Sequence, residues 1–207
     1  LFNNRAFATV MAGSEITWQW VGKDSVKVTV TGYRDCNGVN LMATPITLNG
    51  SKCGSRSYST RMKLIGDITP VCESSCTRCQ SSGCGLKYGL QKYEISAIVD
   101  ISDWKSRNCC KITVIWAHCC RSRAITTGAA SQNYYIDGLI NICQNPQIDV
   151  EWLDDPTSIL CLGRDYIGLN QVKTDNSKDS VVYSFSDPKI SATALTSWTG
   201  KYSSSKP

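Results

Sequence analysis

An all-β, disulfide-rich antiparallel β-sandwich of Ig-like type is the fold this sequence predicts, and three features predict it. Twelve cysteines accompany a single histidine in 207 residues, the density of a chain that fixes itself with sulfur bridges in an oxidising compartment. Short segments rich in Val, Ile, Tyr and Trp recur at fairly regular intervals, with Gly, Asn, Asp and Ser clusters between them; this is the rhythm of sandwiches and not of βαβ units. No segment sustains a 3.6-residue apolar period.

The clearest strand is Ser25-Val26-Lys27-Val28-Thr29-Val30-Thr31, where polar and β-branched residues alternate strictly. One face of such a strand is buried while the other stays wet. Glu15 to Trp20 precedes it, and the turn Val21-Gly22-Lys23-Asp24 joins the two as a hairpin. Further strands are expected over Tyr93 to Ile101, Lys111 to Ala117, Tyr134 to Ile142 and Ser180 to Ser186.

Organisation changes near Gln144-Asn145-Pro146-Gln147. Only Cys143 and Cys161 of the twelve cysteines lie beyond residue 140. A cysteine-rich sandwich domain is therefore expected over 1–145, and part of a second Ig/cadherin-like β domain over 146–207. That second span falls short of the roughly 100 residues of a complete Ig-like domain, so the chain is expected to be a piece of something longer.

Formal charge is +5, unevenly placed: residues 1–130 hold 16 Lys and Arg against 8 Asp and Glu, and 131–207 hold 6 against 9. The basic residues are scattered singly and form no phosphate-binding stripe, so nucleic acid is not expected as a partner. No stretch approaches the ~18 continuous apolar residues of a membrane-spanning helix.

Cys72, Cys76, Cys79 and Cys84, with Cys76-Thr77-Arg78-Cys79 as a CxxC, are the one cluster that zinc would suit. The other eight (Cys36, Cys53, Cys109, Cys110, Cys119, Cys120, Cys143 and Cys161) argue for oxidation throughout, so all twelve are assigned to disulfides and none to metal. Bonding the vicinal pairs Cys109-Cys110 and Cys119-Cys120 internally would close a strained ring; pairing elsewhere is expected, since neighbouring strand residues point to opposite faces. Twelve cysteines allow on the order of ten thousand pairings, so connectivity stays open.

No catalytic site or cofactor is expected. His118 ends an apolar strand beside cysteines expected to be oxidised, which removes a Cys-His nucleophilic pair. There is no GxSxG and no phosphate-cradling glycine loop. Asp149, Glu151, Asp154 and Asp155 read as a solvated loop. Asp175-Asn176-Ser177-Lys178-Asp179 has the oxygen-rich look of a calcium loop, with Lys178 placing an ammonium among the ligands. The tryptophans read chiefly as core, with sugar stacking on Trp18, Trp20 or Trp198 as the other use.

Gly13-Ser14-Glu15-Ile16-Thr17-Trp18, Gly32-Tyr33-Arg34-Asp35-Cys36-Asn37-Gly38 and Trp116-Ala117-His118-Cys119-Cys120-Arg121-Ser122-Arg123-Ala124-Ile125-Thr126 resemble the N-terminal region of large Bacteroidetes surface proteins. Those proteins are gliding-motility-associated and adhesin-like, and are exported by type IX secretion. The family's stations read approximately GGEITY, YRDCNG and WxxCCRNxAI, with Ser122 standing at its asparagine. The likeness continues through Thr69-Pro70-Val71-Cys72, Tyr134-Tyr135-Ile136, Asn145-Pro146, Cys161-Leu162-Gly163 and Asp179 to Ser184.

The resemblance implies an extracellular β module at the cell surface within a long repetitive polypeptide. Its partners would be other domains of that polypeptide, the secretion or motility machinery, and a glycan or surface ligand. It also implies O-glycan acceptors at Asp24-Ser25-Val26 and Asp179-Ser180-Val181. The expected function is a non-catalytic adhesin or filament module that bears load and presents loops. The alternative is a secreted carbohydrate-binding module or hydrolase accessory domain, and a filament subunit would complete a neighbour's sheet with a donated strand.

Overall fold

Strict alternation over Ser25 to Thr31 buries one row of side chains and leaves the next row half-exposed, and the sheets are built outward from that segment. The structure is a computed structural model that describes residues 11–71, 74–124, 132–143, 149–152, 172–174, 182, 184 and 186–195. Its strands are β1 (Met11–Gly22), β2 (Ser25–Asp35), β3 (Ile46–Gly50), β4 (Gly54–Tyr58), β5 (Arg61–Asp67), β6 (Leu90–Asp100), β7 (Lys111–His118), β8 (Tyr134–Asn141), β9 (Val150–Trp152) and β10 (Val172–Thr174). One short helix, α1 (Ser102–Ser106), lies between β6 and β7.

Two antiparallel sheets result, of order β10-β9-β1-β2-β6-β5 and β4-β3-β7-β8. The β1–β2 hairpin pairs Trp20 with Val26 and Thr17 with Thr29. On its other side β2 pairs with β6, Val28 opposite Ala97. Val26, Val28 and Val30 are buried, as are Ile95 and Val99 of β6; Ile46 and Leu48 of β3, Ile112, Val114 and Trp116 of β7 and Ile140 of β8 face them from the second sheet. Each such side chain contributes ~1.5–3 kcal/mol when taken fully out of water. The all-β, disulfide-rich sandwich is thus the fold of the chain.

Trp104 of α1 is fully buried, and β3 has to make room for it. A Cβ at Gly50 would lie 2.7 Å from Trp104 Cζ3. On the surface Asp103 pairs with Arg56 and with Arg107 (2.7 Å), and both guanidiniums stand over the Trp104 ring, at 5.8 and 5.7 Å from its centroid.

The edge strand β5 is interrupted by a bulge between Leu64 and Gly66 and carries Arg61 and Lys63, both exposed. The opposite sheet ends in β4, five residues long, with Arg56 exposed. Short length, bulges and cations all blunt an edge against pairing with another chain.

Of the span 146–207 the described part is small. β9 joins the six-stranded sheet through Trp18 opposite Val150, and β10 pairs with β9. Lys189 reaches β8, where its ammonium sits 2.8 Å from both carboxylate oxygens of Asp137. The strand expected over Ser180 to Ser186 falls mostly outside the described residues, as do Trp198, Asp154, Asp155 and the Asp175 to Asp179 loop. No described helix is long and apolar enough to cross a membrane.

Candidate functional site

The Gly32 to Gly38 station is where β2 runs out and turns. Arg34, buried, donates from Nε to the Val39 carbonyl (2.8 Å), from one terminal nitrogen to Gln91 Oε1 (2.6 Å) and from the other to the Gly38 carbonyl (2.9 Å). Asp35 Oδ1 accepts from Asn37 N–H (2.9 Å), and Gly38 N–H bonds the Asp35 carbonyl (3.0 Å). Asp35 Oδ2 accepts from Ser122 Oγ, which belongs to the Trp116 to Thr126 station. Met11 is gripped between the same elements: its N–H bonds the Cys120 carbonyl and its carbonyl accepts from Ser122 N–H. The two most distinctive stations of the sequence therefore meet, and their polar groups are engaged with each other.

Cys36 is bonded to Cys79 and Cys76 to Cys84, so three of the four cysteines that zinc would suit are in disulfides; Cys72 lies outside the described residues. Together these bridges brace the segment 74–89 against the end of the six-stranded sheet. Thr77 is buried at its root, and Gly89 has no room for a Cβ, which would fall 2.7 Å from both Cys79 Sγ and Thr77 Oγ1. Leu86 and Tyr88 are exposed on it, and Arg78 reaches Asn37 Oδ1 (3.3 Å).

Cys53–Cys109 and Cys110–Cys143 fasten the β3–β4 turn and the end of β8 to one vicinal pair, which pairs elsewhere as expected. The other pair departs from expectation: Cys119 and Cys120 are bonded to each other across a cis peptide. They lie just past the end of β7, as Cys109 and Cys110 lie just before its start. Cys161 falls outside the described residues.

His118 lies beside Trp116, ring centroids 5.8 Å apart, with Nδ1 against the Cys119 carbonyl. Burial holds its imidazole below the ordinary value, against hydrogen bonds to the Cys119 and Met42 backbones. Both following cysteines are in a disulfide, so no thiolate stands beside it. Asp149 accepts from Trp20 N–H (2.8 Å), which makes it a tether for β1. Trp18 and Trp20, offered above as exposed sugar platforms, pack instead against the core, because β1 directs them to the buried side with Ile16. Of the two O-glycan stations, Ser25 closes the β1–β2 turn opposite Gly22, and Asp179-Ser180-Val181 is outside the described residues.

A cleft that the sequence did not reveal opens beside β8. It measures about 280 Å³, and Arg121, Tyr134, Tyr135, Asp137, Asp187 and Lys189 are among its walls. Arg121 is only 9% exposed. Its guanidinium donates to the Lys189 carbonyl (2.6 Å) and stands 5.1 Å from the Tyr134 ring centroid, while Nε has no partner. Desolvation pulls its pKa below the ordinary value, with Tyr134 opposing the shift. Burial pushes the Tyr134 hydroxyl up, against a hydrogen bond from Ser14 Oγ (3.0 Å). Arg121 and Tyr134 belong to stations singled out in the sequence, but nothing in spacing brings Asp137 and Lys189 to them. A second cleft, about 370 Å³, lies among Arg56, Tyr58, Asp100, Ser102 and Asp103.

Compared with known proteins, the chain matches no family model, no curated protein and no solved structure.

Proposed function

We propose that the chain is a non-catalytic extracellular module of a cell-surface adhesin or filament, serving a gliding or adhesion apparatus and cross-linked to bear load. One observation carries this reading. Along the covalent path from Cys36 to Cys143, the Cys53–Cys109 and Cys110–Cys143 bridges bypass separations of 56 and 33 residues almost back to back. Between Cys36 and Cys143 only the segment 36–53 stays extensible. At roughly 3.5 Å per extended residue, the bridges withhold about 300 Å of chain from a pulling force. Bridges placed merely to raise stability would not need to follow one another so closely along the load path.

Multiple disulfides fit an oxidising, extracellular setting. The blunted edges β4 and β5 argue against a donated strand at those two borders. The second reading, a carbohydrate-binding module, is favoured by the Arg121 cleft. Single-molecule pulling of the chain between terminal handles tests the first reading. Reductant should lengthen the released contour by about 300 Å; equal contours with and without reductant would sink it.

A further inference from the structure

In the wall of the cleft beside β8 stands a guanidinium with no carboxylate bound to it. Among the described residues Arg121 makes no ion pair: its contacts are a carbonyl and a tyrosine ring. A buried guanidinium in that state is costly unless an anion completes it. The neighbouring cation cannot be the reason for the arrangement, since Lys189 is held bidentately by Asp137. Stability alone would be better served by an apolar residue against Tyr134, so the arrangement has the character of a site waiting for an anionic group.

Shape and lining narrow the ligand. About 280 Å³ lies below the usual 300–1,000 Å³ of drug-sized sites, which suits a single ring-sized unit. A planar guanidinium matches a planar carboxylate. Beside Asp137 and Asp187 in the walls, a phosphate dianion brings two negative charges where a carboxylate brings one, and is the more disfavoured of the two. The Asp137–Lys189 pair, Ser186 and the tyrosine hydroxyls offer both donors and acceptors, which is what sugar hydroxyls require. Tyr135 adds an aromatic wall, with Lys189 Nζ 5.9 Å from its ring centroid.

From this geometry we infer that the cleft binds a uronic-acid unit of an acidic polysaccharide, the carboxylate on Arg121 and the ring hydroxyls on Asp137, Lys189 and Tyr135. This names a ligand for the adhesive reading and stands apart from its mechanical part, because the pulling experiment does not involve the cleft.

The test is titration of the full oxidised chain with D-glucuronate and D-galacturonate, followed by calorimetry and by the ring resonances of Tyr134 and Tyr135. Saturable binding of at least one uronate is expected, with D-glucose giving no saturation. Arg121→Gln should weaken binding at least tenfold, and Arg121→Lys, which keeps the charge and loses the fork, should also weaken it. If Arg121→Gln fails to fold, the wild-type contrast between uronate and glucose on the tyrosine resonances remains decisive. No saturation by either uronate, an equal response to glucose, or unchanged uronate binding in a folded Arg121→Gln chain overturns the site. N-acetylglutamate binding as tightly as the uronates would assign the cleft to acidic peptide and overturn the glycan.

Discussion

Ser122 Oγ donates a hydrogen bond to Asp35 Oδ2 across 87 residues of chain, with both side chains buried. That bond joins the turn after β2 to the segment after β7, and thus one sheet to the other at the end where Met11 is held. The carboxylate's other oxygen serves Asn37.

Because that carboxylate is buried, removing its donor leaves an acceptor unmade. Ser122→Ala should cost about 1–3 kcal/mol, the range for leaving a buried acceptor unsatisfied. Asp35→Asn should cost a comparable amount, and the double variant less than the sum. Denaturant unfolding of the three variants measures the coupling; additive effects would show that the pair does not tie the sheets.

Peptide mapping without reduction should recover Cys36–Cys79, Cys53–Cys109, Cys76–Cys84 and Cys110–Cys143. Replacing Cys53 and Cys109 together with Ser should lower stability by ~2–4 kcal/mol through the freed unfolded chain. Thermal unfolding of the oxidised protein checks it, and a melting temperature equal to wild type would remove this bridge from the frame.

Gly50→Ala places a methyl 2.7 Å from Trp104 Cζ3, and Trp104 is fully buried with nowhere to swing. Overpacking of this kind costs ~1–3 kcal/mol. Gly66→Ala is the control, since its added Cβ meets nothing within 4 Å. Chemical denaturation should separate the two variants by at least 1 kcal/mol in the stated order.

The depressed His118 titration has a sign. Between its ordinary value of 6.5 and its lower folded value the unfolded chain binds the proton more readily, so stability falls as pH drops below 6.5 and levels off once the folded imidazole is charged. His118→Gln should flatten that part of the curve in thermal melts taken between pH 7.5 and 5.5. A second, more acidic loss is expected from Asp100, whose carboxyl is held below 3.8 chiefly by the Ser102 N–H (2.8 Å); its contribution is present above that value and lost as pH falls through the folded one.

What could be read from residues alone was whatever alternates or turns. The β1–β2 hairpin and β6, β7 and β8 announce themselves because their buried faces are β-branched or aromatic and regularly spaced. β4, reading Gly-Ser-Arg-Ser-Tyr, and β5 carry no such pattern, since their side chains are mostly exposed and their partner strands set their place. Helix α1 is a single turn anchored by Trp104, too short for periodicity to register. At the candidate site, Arg121 and Tyr134 lay in recognisable stations, while Asp137 and Lys189 are 52 residues apart and only the fold makes them neighbours. The expectation that a vicinal cysteine pairs elsewhere holds for Cys109 and Cys110 and fails for Cys119 and Cys120, although both doublets flank β7 and neither lies within it.

The kink at Ile65 and the cations beside it bear on crowding. Where copies of a β-sandwich meet side against side at high concentration, a straight, unbroken border would zip them into continuous sheets. With Arg61 and Lys63 exposed along a border broken by the bulge, this flank repels its own copy and cannot align its amides with it, so two molecules that meet at β5 part again.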